Sequence, residues 1–391
     1  MMRIVSCLVV MACAFAGAAA ETEKPLGLYV RDGVLLKDGQ PYRSIGANYF
    51  NLFQRNIQNA QDKSYREKLH ALYKAGIPFV RFMCGGYWPV EQKLYLEKKD
   101  EFFRRLDDVV QAAEEANVGL IPSLFWHVAT APDIAGEHLD QYGNSGSKTS
   151  ALLRRYTEEI VGRYKDRAII WGWEFGNEYN LACDLPNRAQ HRPPCWPQLG
   201  TPKERTAADE LEFPQARAAF VAFAEAVRKL DAARVIISGN AAPRPSAYHN
   251  VTERTWKPDT EAQFAEILLR DNPDPINTIC VHIYHDKKNG YPGGAQSIEA
   301  AVGLANKYAV QAKKPLFLGE FGAEKQLGEK ERPVFEEFLA AIEKHQVPLA
   351  AFWVFDLESQ KQDCNVDFTN ERAYMIELVG QANARLQGRR P

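Results

Sequence analysis

Two glutamates give the first hint of chemistry in this sequence. Glu178 closes the run Trp171-Gly172-Trp173-Glu174-Phe175-Gly176-Asn177-Glu178, and Glu320 lies in Pro315-Leu316-Phe317-Leu318-Gly319-Glu320-Phe321-Gly322. In each, an apolar, strand-like run ends on a carboxylate. Cleaving a glycosidic bond needs a proton for the leaving oxygen and a carboxylate for the anomeric carbon, and enzymes that retain the anomeric configuration hold the two groups ~5–5.5 Å apart. One acidic residue after a strand can equally be a helix cap or an ion-pair partner. Two of them, each ending an apolar strand, point to Glu178 and Glu320 as a working pair of carboxylates.

The elements that must hold them repeat along the chain. Short apolar runs occur at Arg43 to Ala47, Pro78 to Met83, Gly119 to Phe125, Ile169 to Glu174, Val235 to Ser238, Thr278 to Ile283, Pro315 to Gly319 and Leu349 to Phe355, eight in all. Between them, Asp100 to Ala116, Thr149 to Tyr164, Pro214 to Leu230, Ile298 to Ala312 and Val334 to His345 repeat apolar residues at three- and four-residue intervals, as amphipathic helices do. Strands alternating with helices predict a parallel α/β domain, and eight such units predict a (β/α)8 TIM barrel. Two Asp-Gly pairs, Asp32-Gly33 and Asp38-Gly39, predict a hairpin over Gly27 to Tyr42 that caps the barrel floor. The Pro- and Arg-rich stretch from Tyr179 to Glu212, a loop of about 30 residues after the fourth strand, belongs on the catalytic face as one wall of the cleft.

Read in order, these motifs resemble glycoside hydrolase family 5, within the clan of barrel glycosidases that carry acid/base and nucleophile on strands four and seven. Phe79-Val80-Arg81-Phe82 resembles that family's second-strand arginine, Trp126-His127 its third-strand histidine, and His282-Ile283-Tyr284 its sixth-strand His-x-Tyr. Trp353 resembles its eighth-strand tryptophan, whereas Tyr179 stands where many members have proline. The resemblance implies a substrate-binding set of Arg81, His127, Asn177, His282, Tyr284 and Trp353. Arg81 and Tyr284 would keep Glu320 ionised by donating hydrogen bonds to it, and Asn177 would bind the sugar 2-hydroxyl. Glu174, an even number of residues before Glu178, is expected to point into the barrel as a buried partner for Arg81. Asn48, Tyr49 and Asn240 lie at the strand ends from which they would reach sugar.

Charge and composition exclude other classes. With 48 Lys and Arg against 50 Asp and Glu, and no basic run, nothing invites a nucleic acid or an anionic membrane. No CxxC or HExxH pattern occurs, so neither a metal nor another cofactor is expected. The apolar run from Ile4 to Phe15, followed by small residues through Ala20, predicts a signal peptide over residues 1–20, cleaved near Ala20, and a single catalytic domain over residues 21–391. That run falls short of the ~20 residues a membrane span needs. A lipoprotein box ending at Cys13 is the minor alternative, and extracellular and periplasmic destinations are equally compatible. Export permits disulfides, and Cys183 with Cys195, which bracket a Pro-rich stretch, form the expected bridge.

The resulting expectation is a secreted, retaining β-glycoside hydrolase, a monomer by default. Its partner would be a β-linked polysaccharide or oligosaccharide, cut in endo-β-1,4-mannanase fashion. Endo-β-1,4-glucanase or exo-β-glycosidase action are the enzymatic alternatives. An inactive carbohydrate-binding barrel would have lost a glutamate or the arginine, and a surface adhesion domain would carry repeats; neither feature is seen.

Overall fold

A computed structural model describes residues 24–285 and 290–388. The expected signal peptide and the lipoprotein reading at Cys13 lie outside the described residues. The chain opens with three short antiparallel strands, β1 (Leu28–Arg31), β2 (Val34–Lys37) and β3 (Gln40–Pro41). Both Asp-Gly pairs turn with positive φ at each residue, which gives the right-handed twist that a two-residue hairpin requires.

Eight parallel strands follow: β4 (Ser44–Asn48), β5 (Phe79–Met83), β6 (Gly119–Phe125), β7 (Gly172–Gly176), β8 (Val235–Ile237), β9 (Ile279–His282), β10 (Leu316–Phe321) and β11 (Leu349–Phe352). They are ordered β8-β7-β6-β5-β4-β11-β10-β9. The first and last strands meet through side chains. Ile236 N donates to Asn277 Oδ1 (2.8 Å), Thr278 Oγ1 donates to Ile236 O (3.0 Å), and Asn272 Oδ1 accepts from Ser238 Oγ and Cys280 N (2.6 and 3.0 Å). Backbone groups that would be orphaned at an open edge are thereby satisfied, and the sheet forms the (β/α)8 barrel.

The barrel floor is apolar. Leu28 and Leu35 of the hairpin pack with Phe79, Ile121, Phe317 and Leu349 from the strands, so the hairpin plugs the lower end as its sequence suggests. The other face of the strands packs on helices such as Lys99–Ala116, Lys148–Tyr164 and Phe213–Leu230. The fourth barrel strand departs from the expected Ile169 to Glu174. β7 starts at Gly172, although Ile169 O and Trp171 N already pair with Leu120 of β6 (both 2.8 Å), and Trp171 O turns instead to Leu28 N of the hairpin (2.8 Å). An additional helix, Glu261–Asp271, sits between β8 and β9; its signal was the Thr260-x-x-Gln263 capping box. Among the described residues, no helix is long and apolar enough to cross a membrane.

The Cys183–Cys195 bridge is not present, since both cysteines are free. The one-turn helix Tyr179–Ala182 turns Cys183 inward, where its thiol donates to Tyr179 O (3.2 Å), while Cys195 is exposed on the inserted loop.

Candidate active site

Strand register brings the site together. Parallel pairing sets Asn48 beside Arg81 and His282 beside Glu320, so residues remote in sequence converge at the C-terminal ends of neighbouring strands. Glu178 arrives differently. β7 ends at Gly176, and Glu178 adopts a left-handed conformation (φ 55°, ψ 32°) that is rare for a residue with a Cβ and often marks a functional turn. Its backbone N–H donates to Gly239 O (2.8 Å), and Gly239 must be glycine, because a Cβ there would sit 1.8 Å from Gly176 O. Strand alternation thus aims Glu174, whereas this turn aims Glu178.

The guanidinium of Arg81, fully buried, organises the floor of the site. Its Nε donates to both oxygens of Glu174 (2.8 and 2.9 Å), its Nη1 to Asn48 Oδ1 (2.9 Å) and Glu320 Oε1 (2.8 Å), and its Nη2 to Asn177 Oδ1 (2.8 Å). The Trp126 ring lies 4.3 Å from its central carbon. Burial works against this charge, but Glu174 and Glu320 more than offset it, so the pKa of Arg81 lies above its usual value.

Glu320 is buried and held at both oxygens, since Tyr284 Oη donates to Oε2 (2.6 Å) opposite Arg81 at Oε1. Burial and the neighbouring Glu320 charge push the Tyr284 pKa well up, which keeps that phenol a donor. Glu178 shows 31% of its side chain to the cleft and pairs with His282 Nδ1 at 2.9 Å. Desolvation raises its pKa, opposed in part by Arg81 and Arg244. One oxygen of each glutamate and a ring nitrogen of His282 all lie within 4.8 Å of one another. That spacing would also admit a cation, but Arg81 already supplies positive charge behind Glu320. Burial first, with Arg81 adding to it, lowers the His282 pKa to about 3, so the imidazole is neutral.

The remaining expected residues divide. Asn177 spends its oxygen on Arg81 and leaves its amide N–H groups for a ligand. Trp353 is half-buried at the end of β11, with its indole N–H on Gln360 Oε1 (2.8 Å) and a cis peptide to Val354. His127 packs against the rings of both Tyr87 and Trp88, with Nδ1 3.2 Å from Thr130 Oγ1. Asn48, Tyr49 and Asn240 do not reach toward sugar. All three are fully buried: Asn48 braces Arg81 and the β10 and β11 carbonyls, Tyr49 bonds Asp356 (2.9 Å), and Asn240 bonds Asp271 O (2.6 Å). Sequence reasoning missed Phe50, Tyr87, Trp88 and Trp196, aromatics just past strand ends or on the inserted loop, and Arg244 in the segment after β8.

A parallel barrel with two carboxylates meeting at its C-terminal face is an arrangement that glycoside hydrolysis can use. The comparisons assign the family. The sequence matches that described as cellulase (glycosyl hydrolase family 5) over residues 37–356, and the chain belongs to it. A comparison with curated protein sequences returned no match. Among solved structures, an endo-1,4-β-mannanase from Rhizomucor miehei superposes with a TM-score of 0.62 at 16% identity, covering 92% of this chain and 99% of that one. An endo-β-1,4-mannanase from Thermotoga petrophila gives 0.61 at 15% identity over 89% of this chain and 78% of its own. An exo-β-1,4-mannosidase from Opitutaceae bacterium strain TAV5 gives 0.58 at 17% identity over 92% and 62%.

Proposed function

We propose that this glycoside hydrolase cleaves β-1,4-linked mannan or its oligosaccharides with retention, using Glu178 as acid/base and Glu320 as nucleophile. The observation that carries the reading is the carboxylate pair. Oxygens of the two groups lie within 4.8 Å, close to the ~5–5.5 Å of retaining enzymes and short of the ~6.5–9.5 Å that leaves room for water in inverting ones.

The chemistry follows from the environments. Glu178, its pKa raised by desolvation, carries the proton for the leaving oxygen. Glu320, with Arg81 and Tyr284 donating to its oxygens, attacks the anomeric carbon and forms a glycosyl ester. Esterification removes one negative charge, so Glu178 then holds its own charge more easily and takes a proton from water as the water oxygen attacks the same carbon, breaking the ester bond and returning Glu320 as a carboxylate. The two inversions return the original configuration. An amide N–H of Asn177 donates to the sugar 2-hydroxyl, a bond that strengthens in the oxocarbenium-like transition state. The mannan assignment is supported by the Trp-Glu-x-x-Asn-Glu run and by mannanases among the structural neighbours. The family's cellulase description makes β-1,4-glucan the competing substrate.

The test is product release from mannan, carboxymethyl cellulose, β-glucan and xylan by the native protein beside Glu320→Ala. Mannan cut by the native enzyme alone is the expected result, together with a 2-deoxy-2-fluoro-mannosyl label on Glu320. A label elsewhere, or undiminished activity of the variant, overturns the mechanism; preference for cellulose overturns the substrate. Export belongs to the same reading, and sequencing of the secreted protein is expected to begin at Glu21.

A further inference from the structure

The rim of the barrel is knitted shut on one side by aromatic rings. Phe50, which follows β4, lies 5.0 Å from Trp126, 6.0 Å from Trp353 and 6.2 Å from Tyr87, centroid to centroid, and Trp126 lies 6.1 Å from Trp353. These rings come from the loops after β4, β5, β6 and β11. The loop inserted after β7 extends the closure. It crosses the loop after β6 and docks on the loop after β5, where Trp196 stacks on Trp88 at 5.8 Å and 13° and a Cβ on Gly200 would meet Pro89 at 2.9 Å.

This bridge is fastened rather than loose. Arg205, on the inserted loop, donates to both oxygens of Asp133 (2.6 and 2.8 Å), and the side chains are 3% and 1% exposed, values that set this pair apart from ordinary surface salt bridges. Asp209 joins the pair from the same loop.

A pyranose held between two aromatic faces needs about 7–8 Å between them, twice the ~3.5–4.0 Å carbon contact distance. None of these ring pairs provides it. We infer that the cleft ends behind the sugar over Glu320 and that the enzyme removes single sugars from a chain end. The inference rests on the proposed β-glycoside substrate and adds the mode of attack to it.

The experiment is a time course on reducing-end-labelled β-1,4-mannohexaose and cellohexaose, read by chromatography and proton NMR, with viscometry on the matching polymer. Monosaccharide and labelled pentasaccharide as the sole early products, with polymer viscosity unchanged, are expected. Labelled di- or trisaccharides at early times, or a rapid fall in viscosity, overturn the inference. Monosaccharide released first as the α-anomer would uphold the closed pocket while overturning double displacement. In Trp88→Ala/Trp196→Ala, disaccharide release is expected to appear; a strictly single-sugar pattern in that variant overturns the assignment of the wall to the inserted loop.

Discussion

Nδ1 of His282 lies 2.9 Å from Oε1 of Glu178 and 3.5 Å from Oε1 of Glu320, so one imidazole spans both carboxylates. Being neutral, it carries a single proton, and its Nε2 faces the Cys280 sulfur at 4.0 Å, a weak partner in either tautomer. When Glu178 is protonated it donates to Nδ1; when Glu178 is ionised, Nδ1–H donates to it. The ring can therefore follow the acid/base through both halves of the reaction. Imidazole 15N NMR is expected to show His282 neutral from about pH 5 to pH 8, with its tautomer changing as Glu178 titrates. A protonated His282 in that range would contradict this picture.

The pH profile has a defined sign. The free enzyme needs Glu178 protonated, so kcat/KM falls as pH rises through a pKa set above the ordinary carboxylate value by burial. Arg244, whose guanidinium donates to Leu181 O in the turn after Glu178, opposes that rise. In Arg244→Met the alkaline limb of kcat/KM is expected to move to higher pH, measured with an activated aryl glycoside.

Arg81 holds two carboxylates that would otherwise be buried without a counter-charge. Removing one partner of such a pair costs about 3–5 kcal/mol. Arg81→Met is expected to lose about that much in urea denaturation, and Glu174→Gln added to it should recover part of the loss by deleting the stranded charge. Activity should not return with stability, because Glu320 and Asn177 remain without their donor.

Gly319 is required by a close approach, since a Cβ there would lie 2.8 Å from His282 Nε2 and 3.1 Å from Cys280 Sγ. Gly319→Ala is expected to fold and to displace the imidazole from the carboxylates. A misplacement of about 1 Å can cost about 10²-fold in rate, and kcat should fall on that order while the circular dichroism spectrum is unchanged.

The barrel and the strand ends bearing the glutamates were legible because they depend on local pattern. Apolar runs such as Pro315 to Gly319 and amphipathic stretches such as Asp100 to Ala116 have their periods written in adjacent residues. Glu174 was legible for the same reason, as two-residue alternation carries its side chain inward to Arg81. Asn48, Tyr49 and Asn240 were misread because position at a strand end does not say whether a polar side chain turns to the cleft or inward to an unpaired backbone group.

The sequence by itself determined the number of barrel strands, the hairpin that plugs the floor, and which strands end in carboxylates, for each is set by hydrophobic period or turn chemistry within a few residues. Only the tertiary structure decided the left-handed turn that aims Glu178, the five contacts of Arg81, the free state of Cys183 and Cys195, and the ring-to-ring closure of the rim by Trp196 on Trp88. These depend on distances between segments far apart in the chain. Strand register and loop docking set such distances, and no local pattern encodes them.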